Sequence, residues 1–276
     1  MSAMNWHQGQ LQRIAVGGAK LECVCFGPPP AKAATIVLMH DGLGCVATWH
    51  EFPERLADAT GWGVFVFSRQ GYGGSDPAQL PRPVDYLERE AQTVVKDVLD
   101  RIGFETGILL GHSDGASIAG LYLGTHQDHR VRGLVLIAPH FFAEPENFDV
   151  IRQLYNQYET ADLREKLARH HGDNVDCAFR GWADTWLDPR FANWDATEAI
   201  AYIRVPVLYI QGEDDHSCSP AQAEAVVDEC YAPVDVRMIA DCQHVPHREQ
   251  PDKTLLLIGE FVARLARIEN HNVSAP

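Results

Sequence analysis

A chain of 276 residues with 46% hydrophobic and 22% charged side chains suits one large globular domain, or one domain carrying an insertion. Its net charge of −15 argues against a nucleic acid or an anionic membrane as partner, because both call for clustered Lys and Arg. Seven cysteines without paired spacing read as free thiols in a reducing compartment, so the expected location is cytoplasmic. Residues Met1 to Gln10 lack the basic and apolar regions of a signal peptide, and no apolar run reaches the length of a membrane span.

In chain order, Leu11–Val16 and Leu21–Phe26 flank Gly17-Gly18, which predicts a β-hairpin. Thr35–Met39 and Val64–Phe67 are continuous apolar runs, as expected of strands buried on both faces, and a helix is expected between them over Trp49 to Ala59. Ser68 to Asp76 is a glycine-rich loop without the Lys-Ser/Thr ending of a phosphate cradle, so it reads as a tight loop near a cleft. A helix over Val84 to Ile102 carries Leu87, Ala91, Val94, Val98 and Ile102 on one face. Ile108 onward predicts a strand, then a helix through Tyr122, and Gly133–Ala138 another strand. Strands and helices thus alternate from residue 35, the pattern of a parallel sheet whose ligands bind beyond the carboxyl ends of the strands.

From Pro145 to about Tyr202 the alternation stops. Helices are expected over Phe148–His171, Val175–Trp186 and Ala196–Tyr202, forming a lid. The predicted division is a core of residues 1–142 and 204–276 with a helical cap over 143–203. Phe179, Trp182 and Trp186 share one helix face, where they either glue the cap down or line a pocket. Val205–Ile210 resumes the sheet, Ser219-Pro220 caps the next helix, and Val234–Ala240 is the last strand. A final helix starts near Pro251 with Leu255, Ile258, Val262 and Leu265 inward, and the tail from Asn270 is expected to fray.

The chemistry centres on Gly111-His112-Ser113-Asp114-Gly115, a G-x-S-x-G between a strand and a helix. Such an elbow lifts the serine hydroxyl into a cleft, and it needs glycines where a Cβ would collide with the neighbouring strand or helix. A serine needs a base, and a histidine base needs a carboxylate. Asp215 follows one strand and His244 the last, giving the order Ser…Asp…His.

With these residues the sequence resembles the α/β-hydrolase fold superfamily over nearly its whole length, in its smaller, cofactor-free members with a helical cap after the sixth strand. Leu38–Gly42, Ser68–Ser75, Gly111–Gly115, Gly212–Asp215 and His244–Pro251 carry the resemblance. It implies an α/β fold with a mostly parallel eight-stranded sheet flanked by helices. It also implies catalytic Ser113, Asp215 and His244, with Asp214 the competitor for the acid and His247 a support near His244. Gln243 stands where the family commonly has glycine, and Asp41 stands in a His-Gly-x-Gly pattern where glycine is usual. The oxyanion donors implied are the backbone N–H groups of Asp114 and Gly42, with Leu43 second. His40 is expected to be structural. Leu43, Phe141, Trp182 and Trp186 are the expected substrate-binding residues. No cofactor and no metal is expected, since the two histidines of His244-x-x-His247 lack the glutamate of H-E-x-x-H.

The expected activity is a serine hydrolase cleaving a small, apolar carboxylic ester. Two alternatives stay open: a C–C bond hydrolase of meta-cleavage diketones, and a ligand-binding protein on the same scaffold. Dehalogenases and epoxide hydrolases of this fold carry aspartate at the position of Ser113. A small molecule is the expected partner, with a homodimer left open.

Overall fold

A computed structural model describes residues 4–274, with side chains to residue 268. Eight strands form one sheet: β1 (Gln12–Val16), β2 (Ala19–Phe26), β3 (Thr35–Met39), β4 (Gly63–Phe67), β5 (Gly107–His112), β6 (Val131–Ile137), β7 (Val207–Gly212) and β8 (Val234–Ile239). Their order is β1-β2-β4-β3-β5-β6-β7-β8, antiparallel at β1–β2 and β2–β4 and parallel elsewhere. The hairpin turns at Gly17 and Gly18, both at positive φ, which only glycine adopts cheaply.

The apolar runs are continuous because the sheet is covered on both sides. In β3, Val37 and Met39 face one core, while Ile36 and Leu38 face the other. The second core is closed by α1 (Phe52–Thr60) and by α11 (Pro251–Ser274), through Leu56 on one and Leu255, Ile258, Val262 and Leu265 on the other. The first is closed by α2 (Tyr86–Arg89), α3 (Lys96–Ile102) and α4 (Asp114–Thr125). Each fully buried Leu or Ile contributes roughly 1.5–3 kcal/mol relative to an exposed one, so both faces are needed.

Several elements differ from the sequence reading. The helix expected from Trp49 begins at Phe52, because Val46–Trp49 is a 3₁₀ turn and His50 then takes φ 50°. Residues 86–102 are helical throughout, but Glu90–Val95 is a π segment. Its wider turn moves the apolar face by one residue, so Val95 is buried and Val94 only half-buried. At the C-terminus, the helix runs on through Ser274 where fraying was expected, and the last two tail residues lie outside the described ones.

Between β6 and β7 the chain forms α5 (Pro145–Thr160), α6 (Leu163–His171), α7 (Val175–Trp186) and α8 (Thr197–Ile200). The single long helix expected over Phe148–His171 is two, since Ala161 is extended and Asp162 starts the second. The remaining helices, α9 (Pro220–Glu229) and α10 (Pro246–Glu249), follow β7 and β8. Ser219 caps α9 through the Ala221 N–H. No described helix is long and apolar enough to cross a membrane.

Side chains of the inserted segment, bonded to backbone groups of the glycine-rich loop and of the loop after β3, fasten the insertion to the core. Asn174 Nδ2 donates to Gly73 O (3.0 Å) and Ser75 O (2.7 Å). His171 sits between two loops: its Nε2–H donates to Leu43 O at 2.9 Å, and its Nδ1 accepts from Gly73 N–H at 3.0 Å.

Candidate active site

Strand β5 ends in the elbow. Ser113 has φ 51° and ψ −121°, a conformation a non-glycine residue holds only when its surroundings force it. The forcing is steric. A Cβ on Gly111 would lie 2.2 Å from Gly115 O, and one on Gly115 would lie 2.1 Å from Met39 O. The strand, the turn and α4 are therefore pressed together around the serine.

Ser113 Oγ–H donates to His244 Nε2 at 3.1 Å. His244 Nδ1–H donates to Asp215 Oδ2 at 2.9 Å and lies 3.1 Å from Oδ1. Asp215 Oδ1 also accepts from Ser217 N–H (2.8 Å) and Cys218 N–H (3.1 Å). Asp214 is exposed, and only its backbone N–H is used, on Cys242 O. The structure thus brings Asp215, and not Asp214, to the histidine. It brings His244, and not His247, to the serine. His247 is buried between Trp49 (ring centroids 4.5 Å apart) and His112 (4.8 Å).

The loop around His244 holds its shape with glutamine at position 243. Glu249 accepts the N–H groups of both Gln243 and Val245. His112, the residue before the nucleophile, donates Nε2–H to His244 O at 2.7 Å. Neither Glu249 nor His112 was singled out from the sequence. Their signal is positional: one fills the variable place of G-x-S, the other lies five residues beyond the histidine.

Burial pushes the His244 imidazole down, but the hydrogen bond and charge of Asp215, with Asp41 and Glu249 behind, outweigh it and hold its pKa above the ordinary range. Burial likewise pushes Asp215 up, yet the hydrogen bond and charge of His244, with Ser217 N–H, keep it below the usual carboxylate range. A base must be neutral to take a proton. The acid limb of any serine-dependent rate is therefore expected at a midpoint above about 6.5, the free imidazole value. A kcat/KM profile between pH 5 and 9 checks this, and a midpoint well below 6 would contradict it.

Two backbone N–H groups beside the serine, those of Gly42 and Asp114, have no acceptor among the described residues. Leu43 N–H, the second choice, is turned onto Asp41 Oδ2 at 3.3 Å. His40 lies away from the reacting atoms. It is fully buried, its Nδ1–H donates to Asp41 O (2.8 Å), and its Nε2 accepts from Arg69 N–H (3.0 Å), so it ties the ends of β3 and β4.

Ser113, Gly42, Asp114 and His244 open onto a cavity of about 110 Å³. Leu43 and, from the inserted helices, Ile151, Leu154, Trp182 and Trp186 form its apolar wall. Asp41, His140, Asn147 and Ser217 are its other polar neighbours, and among the described residues no Lys or Arg lines it. Trp186 is fixed by donating Nε1–H to Tyr86 OH at 3.0 Å, and Tyr86 OH donates in turn to Asp114 Oδ2. Phe179 is stacked on Tyr158 at 3.8 Å and does not reach the cavity. Phe141 does not reach it either: its ring fills the space beside Gly120 of α4. The α5 residues escaped the sequence reading because their apolar face looks the same whether it meets a core or a pocket.

Comparison with known proteins shows the fold family. A family model described as alpha/beta hydrolase fold matches residues 34–199. A proline iminopeptidase of Lactobacillus delbrueckii subsp. bulgaricus is 23% identical over 269 residues, covering 83% of this chain and 90% of its own. A 2-hydroxy-6-oxononadienedioate/2-hydroxy-6-oxononatrienedioate hydrolase of Pseudomonas putida is 26% identical over 210 residues, 66% of this chain and 72% of its own. Among solved structures, a bacterial membrane phospholipase A superposes with a TM-score of 0.77 at 21% identity, over 93% of this chain and 86% of its own.

Proposed function

The chain belongs to the α/β-hydrolase fold family and is a hydrolase; from that premise we propose that it cleaves a small, apolar carboxylic ester through an acyl-enzyme. The observation that carries this reading is the unbroken run of hydrogen bonds from Ser113 Oγ through His244 to Asp215.

Ser113 Oγ attacks the ester carbonyl carbon while His244 Nε2 takes its proton. The carbonyl electron pair moves onto oxygen, which faces the N–H groups of Gly42 and Asp114. Asp215 stabilises the imidazolium that forms. Collapse expels the alkoxide, which takes the proton from Nε2. Water then repeats the sequence on the acyl group, releasing the acid. The cavity sets the size of the substrate: about 110 Å³ with tryptophan and aliphatic walls suits a short acyl chain.

A diketone dioate, the kind of substrate in the Pseudomonas putida relative's name, carries carboxylates. These would meet Asp41 and no cation on the wall, which disfavours C–C cleavage of that class. Asp41 favours a second reading instead. An aminoacyl substrate would place its ammonium beside that carboxylate, as with the iminopeptidase relative. Residues 143–203 act in either case as a cap over a core of 1–142 and 204–276. The setting proposed is cytoplasmic, with a small molecule as partner and neither nucleic acid nor membrane.

The test is labelling with a fluorophosphonate, the adduct mapped by mass spectrometry, beside turnover of p-nitrophenyl butyrate and L-prolyl p-nitroanilide. The adduct is expected on Ser113, dependent on His244, with the ester turned over faster. Prolyl turnover without ester turnover would put the aminoacyl reading first. A folded protein that neither labels nor turns over would make this a ligand-binding protein.

A further inference from the structure

We propose that the indole N–H of Trp182 is a third donor of the oxyanion hole, delivered from the inserted helix α7 to the same oxygen as the Gly42 and Asp114 N–H groups. This rests on the acyl-transfer reading above and goes beyond it, because it makes a wall residue a catalytic one.

An indole nitrogen can only donate. Trp6, Trp186 and Trp194 each spend theirs, on Gly27 O (2.8 Å), Tyr86 OH (3.0 Å) and Glu88 Oε1 (2.7 Å). Trp49 Nε1 is sealed in the core without a partner. Trp182 differs from these four, and from Trp62, which is half-buried and lies off this cavity. It is 9% exposed and stands on the cavity wall. Its Nε1 has no acceptor among the described residues, yet it is not one of the sealed polar atoms.

Its position is specific. A Cβ built on Gly42 would lie 2.2 Å from Trp182 Nε1 and 2.5 Å from Cδ1. With Cε2 at 2.7 Å as well, the Gly42 Cβ position lies over the ring face at Nε1, so the pyrrole part of the indole packs flat on the residue that carries the unpaired N–H beside the serine. Only glycine lets the indole come so close. Nε1 is the ring atom nearest to Gly42, so a carbonyl oxygen that reaches the Gly42 N–H has the unpartnered indole N–H for a neighbour. An oxyanion has three lone pairs, and two backbone donors leave one unused. In the attack step the Ser113 Oγ–carbon bond forms, the π pair moves to oxygen and His244 takes the proton. The indole keeps its hydrogen throughout and only donates to the charge that develops.

The test replaces Trp182 by β-(3-benzothienyl)alanine, which keeps the shape and puts sulfur in place of N–H, with Trp182→Phe as a genetic counterpart. p-Nitrophenyl butyrate kinetics and inhibition by an alkyl trifluoromethyl ketone are measured on each. The ketone adds Ser113 to give a hemiketal oxyanion. Loss of the N–H is expected to lower kcat about 10- to 100-fold with KM within about twofold. The ketone Ki is expected to rise by the same factor as kcat/KM falls. An unchanged kcat, or a raised KM alone, would make Trp182 a wall and nothing more, and so would an unchanged ketone Ki with the benzothienyl residue in place. Fluorophosphonate labelling of wild type separates this from the parent reading. If Ser113 does not label, acyl transfer fails and takes the third donor with it; if Ser113 labels and the N–H proves silent, only the third donor fails.

Discussion

Ser113→Ala is expected to lower ester kcat about a million-fold, and Asp215→Asn about ten-thousand-fold, while Asp214→Asn stays within about twofold. The serine variant removes the nucleophile and one hydrogen bond, to His244, so the fold is expected to stand. The Asp215 effect follows from its surroundings. The N–H groups of Ser217 and Cys218 both point at its Oδ1. An asparagine would turn its carbonyl oxygen to those donors and its NH₂ to His244 Nδ1. The imidazole would then carry its proton on Nε2, where it faces the serine hydroxyl and cannot accept from it. Ser113→Ala combined with His244→Ala is expected to cost little more than either alone, since they act as one unit. Steady-state rates beside circular dichroism check all four. Full activity in Asp215→Asn would sink the assignment of the acid, and activity lost in Asp214→Asn would transfer the role.

The second large effect is on stability in mild acid. His40, His140 and His247 are fully buried and held neutral. Burial dominates at each, helped by the charges of Arg69 at His40, His244 at His140 and His112 at His247. His140 is pushed down to about 3. The sign is fixed by linkage: the unfolded chain protonates these groups near 6.5 and the folded chain does not, so stability is complete above that value and falls as pH drops below it. Each therefore lowers stability as the pH drops below about 6.5, by at most about 1.4 kcal/mol per pH unit, against a typical total of about 5–15 kcal/mol. His244, held above its ordinary range, is protonated in both states below 6.5 and adds no slope there. Melting temperature is thus expected to fall steeply between pH 6.5 and 4.5. His247→Phe keeps a ring against Trp49 and Phe52 and deletes one titration, so its Tm profile is expected to be shallower. Superimposable profiles would show that His247 is not held neutral.

The parallel sheet was legible because β3, β4 and the body of β5 are apolar without interruption, the pattern of a sheet covered on both faces. Ser113, Asp215 and His244 were legible because each follows a strand, so topology brings Ser113 together with residues more than a hundred away in sequence. Side-chain orientation within a surviving pattern was not. Phe141 and Trp182 look equally suited to a pocket in the sequence, yet one fills the hollow at Gly120 and the other rests on Gly42. The π segment at Glu90–Val95 and the break at Ala161 carry no glycine or proline to announce them. Glu249 and His112 act through backbone groups of a loop whose path the sequence does not fix.

The clasp made by His171 ties the inserted helices to the loop that carries Gly42. Its ring holds Leu43 O on one side and Gly73 N–H on the other, so displacing the end of α6 breaks a bond to the peptide between Leu43 and Gly44, one residue beyond Gly42. The loop that carries the Gly42 N–H is thus held in place from the side of the inserted helices, and its position depends on theirs.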